Sequence, residues 1–106
     1  SQTVTISGAN IDLSTKDDNY GFSIISPSNT NTTLTTISNA LGAGQIINLS
    51  GVNITVTDNE DTTTTGQIDL AGNSQNFVLD INEMIFLMYT GNVWAEIGHI
   101  GNPADN

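Results

Sequence analysis

Met84-Ile85-Phe86-Leu87-Met88-Tyr89 is the longest apolar run of the 106-residue chain, and it ends on Thr90-Gly91-Asn92 before Val93-Trp94-Ala95-Glu96-Ile97 resumes. Six apolar residues bounded by turn formers read as a strand buried on both faces, central to a core or to a subunit interface. The run is far too short to span a membrane. Trp94 and Glu96 alternate on the returning segment, so Glu96 is expected to sit partly buried beside the indole.

Working outward, the same period of two recurs. It pairs Val4 with Ile6, Ile11 with Leu13, Phe22 with Ile24, and Ile68 with Leu70, and it groups Val52, Ile54 and Val56, and Phe77, Leu79 and Ile81. Turn-forming residues fall between these groups at Ser7-Gly8, Ser50-Gly51 and Ala71-Gly72-Asn73. The chain holds 13 Ile, 5 Val and 15 Thr, residues that favour a pleated, half-buried surface. The fold class is therefore all-β, with about ten short antiparallel strands in a sandwich or barrel-like module. One segment competes: Leu34, Ile37 and Leu41 have helical spacing behind the candidate caps Asn31 and Thr32. The reading takes Thr33 to Ile37 as a strand.

Length implies a single β domain over residues 1–106. Within it, residues 1–32 are more polar and read as an N-terminal strand pair with a connector, Ser26-Pro27-Ser28-Asn29-Thr30-Asn31-Thr32-Thr33, while residues 33–106 form a C-terminal module. Gln2 to Asn19 aligns without gaps on Gln45 to Thr62, which suggests a β-hairpin used twice. Ser1 stands where an initiator Met would, so the expectation is a processed product or a piece of a longer chain.

Charge narrows the partners. Eleven carboxylates face a single cation, Lys16, for a net charge of −10. Nucleic acid is excluded as a partner, because phosphate contacts need Lys and Arg. Anionic surfaces are disfavoured for the same reason, and membrane insertion by the shortness of the longest apolar run. Neutral sugars, cations and basic proteins remain. The absence of cysteine removes disulfides and thiolate chemistry.

No catalytic residue emerges from this inventory. His99 is the only histidine, it stands between glycines near the end of the sequence, and no nucleophile-elbow pattern accompanies it. The acids cluster in loop-like runs, Asp17-Asp18 and Asp58-Asn59-Glu60-Asp61, where solvation keeps neighbouring carboxylates ionised. Asp58, Asn59, Glu60 and Asp61 could donate oxygens to calcium, but glycine-containing calcium-loop spacing is missing, so no metal or cofactor is expected. Sugar binding would draw on aromatic faces, and Tyr20, Tyr89 and Trp94 are available for it. Three sequons, at Asn31, Asn48 and Asn53, are what so Asn- and Thr-rich a chain produces by chance.

Taken in order, Leu34 to Ser38, Gly44 to Leu49, Val52 to Asp58, Gly66 to Gly72, Phe77 to Ile81 and Ile85 to Ile97 resemble the C-terminal β-rich trimerisation and receptor-binding module of phage tail fibres and tailspikes, which also follows right-handed β-helix domains. The most specific part is the ending, an apolar strand, a Tyr-x-Gly-x turn and Trp-x-Glu-Ile. Family members often finish on a basic residue there, where this chain has Gly98-His99-Ile100. The resemblance implies a non-enzymatic virion protein, extracellular on the particle, whose partners are two further copies, other virion proteins and a host-surface glycan. It implies that Tyr89, Trp94 and Glu96 hold the last hairpin and its contacts, and these three are the candidate binding residues. Met84, Ile85 and Leu87 are the candidate oligomer interface. A carbohydrate-binding module and a capsid decoration protein are the alternatives.

Overall fold

The computed structural model describes residues 2–14, 21–25, 32–72 and 76–101. Lys16, Asp17, Asp18, Tyr20 and most of the connector after Ser26 lie outside them. The described residues form eleven strands and no helix: β1 (Gln2–Thr5), β2 (Asn10–Asp12), β3 (Gly21–Ile25), β4 (Thr32–Leu34), β5 (Thr36–Ser38), β6 (Ile46–Ser50), β7 (Ile54–Val56), β8 (Ile68–Asp69), β9 (Phe77–Leu79), β10 (Met84–Tyr89) and β11 (Trp94–Ile100). The all-β class follows from the β-branched composition as expected. The competing helix at Leu34 to Leu41 is replaced by β4 and β5, two short strands that turn between sheets at Thr35.

The strands lie in three sheets, ordered β1-β3-β6-β10-β11-β8, β2-β5 and β4-β7-β9. Pairing departs from the antiparallel expectation, since five of the eight described pairings are parallel. Gln2 pairs with Phe22, Phe22 with Leu49, Asn10 with Thr36 and Thr32 with Ile54, so the chain returns to the same sheet after one circuit. The N-terminal half is thus a short winding whose layers stack strand on strand, as in solenoids. The C-terminal half then reverses: β9 runs antiparallel to β7, β10 to β6 and β11 to β10.

The two segments that echo each other in sequence are corners rather than hairpins. β1 belongs to the six-stranded sheet and β2 to the two-stranded one, and β6 and β7 likewise belong to different sheets. At the first corner Ser7 and Asn10 exchange backbone hydrogen bonds across Gly8 (φ 60°) and Ala9 (φ 57°). Both central residues are left-handed, the requirement of a tight primed turn.

One apolar core fills the interior, and it joins Val4, Ile11 and Phe22 of the polar N-terminal third to Leu49, Phe77 and Ile85. Alternation placed Val4, Ile11, Phe22 and Phe77 inside and failed at two positions. Val52 and Ile81 are exposed because each lies in a turn next to a left-handed asparagine, Asn53 (φ 60°) or Asn82 (φ 64°), which breaks the strand period. β10 is central in its sheet, between β6 and β11, but only one of its faces is sealed: Ile85 and Leu87 are fully buried, whereas Met84, Phe86 and Met88 are half-buried on the outside.

Candidate functional site

The sequence offers the last hairpin as the candidate binding site, and the acidic loop and His99 as groups with no assigned chemistry. The hairpin turns at Thr90, whose N–H donates to the Val93 carbonyl while its hydroxyl accepts from the N–H groups of Asn92 and Val93. This places Tyr89 against Trp94, ring centroids 5.0 Å apart and tilted by 49°.

Trp94 is not a ligand platform, because its side chain is wholly enclosed in the core. Its Nε1–H donates to the Ile37 carbonyl at 3.2 Å, and its backbone N–H donates to Gln67 O at 2.8 Å. Gly66 completes this junction: its N–H donates to Asn92 O and its carbonyl accepts from Ile37 N–H. It has φ +88°, and a Cβ there would stand 3.0 Å from Ile37 O, so only glycine lets the two backbones approach.

Over this junction opens a pocket of about 250 Å³, lined by Asn10, Thr36, Ser38, Asn39, Thr65 and Tyr89 with the backbone near Ile37 and Gly66. Its side chains are fixed by one another. Asn10 Nδ2 donates to Ser38 Oγ at 3.1 Å, Thr36 Oγ1 donates to Asn10 Oδ1 at 2.7 Å, and Thr65 Oγ1 donates to Asn92 Oδ1 at 2.8 Å. No charged residue lines the pocket. A half-buried phenol beside fixed hydroxyls and amides suits a neutral polyhydroxy ligand. Of these residues only Tyr89 was found from sequence, because Asn10 meets Thr36 through a parallel register that carries no local signal.

Glu96 is buried more deeply than expected, its side chain 3% exposed. Its Oε1 accepts the Ala71 N–H at 2.9 Å, and His99 Nδ1 lies 2.5 Å from Oε2. His99 is therefore not a free terminal residue; its ring also meets Phe77 edge-on at 5.3 Å. Glu96 thereby ties β11 to the segment following β8, a fastening role.

The acidic loop takes a different partner from the one its sequence suggested. Asp61 turns away to accept from the hydroxyls of Thr63 and Thr64 and from Thr63 N–H. Those bonds, the Thr63 hydroxyl foremost, hold its carboxyl below the ordinary range. In its place Asp69 of β8 joins Asp58 and Glu60, with one oxygen of each within 4.8 Å of the others. Asp58 is positioned by Leu70 N–H, which donates to its Oδ1 at 2.8 Å, and by Asn76 Oδ1, which accepts from its backbone N–H. Three such oxygens could contribute half of the set that a hard cation such as calcium requires.

The crowding raises the Glu60 carboxyl above its ordinary range, first through a hydrogen bond shared with Asp69 and then through the Asp58 charge. Its contribution to stability is therefore present at low pH and lost as pH rises through the folded value. Asp12 runs the opposite way: Ser14 N–H first, then the Asn39 amide, lower its carboxyl, so its contribution is lost as pH falls through the folded value. Asp69→Asn is expected to bring Glu60 back towards the ordinary carboxylate range, followed by carboxyl NMR titration. An unmoved midpoint would assign the crowding elsewhere.

No protein-family model matches this chain, and no curated protein matches it.

Proposed function

We propose that this chain is a non-enzymatic structural domain of a virion, the tip of a fibre or spike, which assembles as a homotrimer and mediates attachment to the host. The observation that carries the reading is the asymmetry of the winding. β1, β2 and β4 stand at the edges of their three sheets, the position on which a further layer of parallel strands would stack, while β9, β10 and β11 reverse the chain at the other side. Such a unit ends a fibre, as capping repeats end solenoids. The acidic, cation-poor composition suits contact with neutral surface sugars or with basic virion proteins.

Light scattering at micromolar concentration should give three times the chain mass, and immobilised protein should retain host cells. A monomer that retains neither cells nor virions would sink the reading. Retention of assembled shells in place of cells would move it to a capsid decoration protein.

A carbohydrate-binding module is the second reading, favoured by the neutral pocket beneath Tyr89. Here Tyr89→Ala, with circular dichroism unchanged, should abolish glycan retention. Full retention by that variant would exclude the pocket. Trp94→Ala cannot serve as the discriminating variant, since the indole is part of the core.

A further inference from the structure

Two buried side-chain oxygens among the described residues lack a hydrogen-bond partner, Asp58 Oδ2 and Gln67 Oε1. Both belong to the junction where the segment after β7 runs beside β8, held by Asn59 N–H, which donates to Ile68 O at 2.8 Å. Asp58 Oδ1 accepts the Leu70 N–H at 2.8 Å, so the carboxylate is fixed while its second oxygen is enclosed without a donor. Ile68 and Leu70 are buried, so Gln67 and Asp69, which alternate with them, share the opposite face. A charged oxygen enclosed without a donor is costly, and it calls for an ordered water or an ion.

Charge decides between the two. Asp58, Glu60 and Asp69 each place an oxygen within 4.8 Å of the others, and no Lys or Arg stands among the described residues to offset them. Water brings no net charge, whereas a cation does. Calcium binds oxygen at about 2.3–2.6 Å, so ligands on opposite sides of one ion stand about 4.6–5.2 Å apart, and this cluster fits within that span. Magnesium, at about 2.0–2.1 Å, would need the oxygens within about 4.2 Å in a near-octahedral array. The cluster offers oxygen alone, with neither cysteine nor histidine, which disfavours the softer transition metals.

We propose that Asp58, Glu60 and Asp69 bind one calcium ion between the segment after β7 and strand β8, with Gln67 Oε1 as the neutral oxygen available on the same face. Waters complete the shell of six to eight oxygens that calcium takes. Glu60 is the exposed member, so the ion has a way in from solvent. The set is not the run Asp58 to Asp61 that the sequence displays, because Asp61 is committed to Thr63 and Thr64 and Asp69 takes its place. The ion fastens the start of a loop whose far end, Thr65 and Gly66, lines the Tyr89 pocket. This site stands independently of the oligomeric reading. A dissociation constant of roughly 0.1–1 mM is expected, the range of extracellular calcium modules.

Calcium chloride added to the full, chelator-treated chain should raise its melting temperature by roughly 5–10 °C at about ten times the dissociation constant. Magnesium chloride should raise it by less than half as much, and sodium chloride at matched ionic strength by less still. Equal rises with all three salts would be screening of the net charge and overturn the site. Asp69→Asn and Glu60→Gln should each weaken calcium binding at least about tenfold, while Asp61→Asn, in the same loop, should leave it unchanged. Should Asp69→Asn fail to fold, Glu60→Gln still tests the site, because Glu60 is exposed. Parental affinity in a folded Glu60→Gln chain, or an equal loss in Asp61→Asn, overturns the assignment. Amide NMR supplies a second readout on the parent: calcium should shift Asp58, Asn59, Glu60, Asp69 and Leu70 most. Shifts centred on Asp12 or Asp61, or none at about 10 mM calcium, overturn it.

Discussion

Trp94→Ala is expected to destabilise the domain by about 3–5 kcal/mol, the cost of removing a fully enclosed large aromatic side chain. The indole fills the space between the last hairpin and β5, and it is the largest of the fully buried side chains. The lost Nε1–H donation to Ile37 O adds to the vacated volume. For a chain of this size the melting temperature should fall by roughly 15–30 °C. A domain of ordinary stability, about 5–15 kcal/mol, would keep little reserve. Trp94→Phe separates the two effects: it retains most of the volume and loses the bond, so about 1–2 kcal/mol is expected. Thermal and urea denaturation measure both variants. A Trp94→Ala domain as stable as the parent would mean that the indole is not in the core. Because Ile37 and Gly66 border the Tyr89 pocket, Trp94→Ala should also loosen that pocket without touching a ligand.

The Trp94 result bears on how far the chain could be read without its structure. Period-two alternation placed Phe77 and Leu79, Phe22 and Ile24, and Ile11 and Leu13 inside correctly, because in a strand the face of a residue follows from parity alone. Parity does not name the partner strand. Phe22 on Leu49 and Asn10 on Thr36 are parallel returns after 27 and 26 residues, fixed only when three sheets close around one core. Antiparallel pairing of short strands was the simpler inference, and it describes only the reversal from β9 onward. The same gap explains the acidic loop. Asp58 and Glu60 were visible as a run, but Asp69 reaches them because Asn59 N–H donates to Ile68 O and fixes the two segments side by side. Glu96 was foreseen as partly buried, while its partners Ala71 and His99 depended on the bulge in β11 that brings His99 to the inner face. Tyr89 stayed half-buried and Trp94 became fully enclosed, a difference absent from composition.

Phe22→Ala should likewise cost about 3–5 kcal/mol, and the form of its unfolding curve matters more than the size of the loss. Phe22 lies in the more polar N-terminal third, which sequence composition set apart from the C-terminal module. In the fold it pairs with Gln2 on one side and Leu49 on the other, and Leu49 in turn pairs with Ile85, so its ring belongs to a ladder that crosses the six-stranded sheet from β1 to β10. Burial is complete at Leu49 and Ile85 and nearly so at Phe22. If that ladder is one cooperative unit, Phe22→Ala must lower the midpoint seen by Trp94 fluorescence, at the far side of the sheet, by the same amount as the midpoint seen by circular dichroism. Coincident, equally shifted transitions are the expected result. A Trp94 transition left at its parental midpoint, with an earlier loss of strand signal, would show that the first layers unfold independently of the C-terminal reversal. Stacked windings permit that behaviour when the interface between layers is weak. Here the layers share one core from Val4 to Trp94, so the interface between them is the core itself.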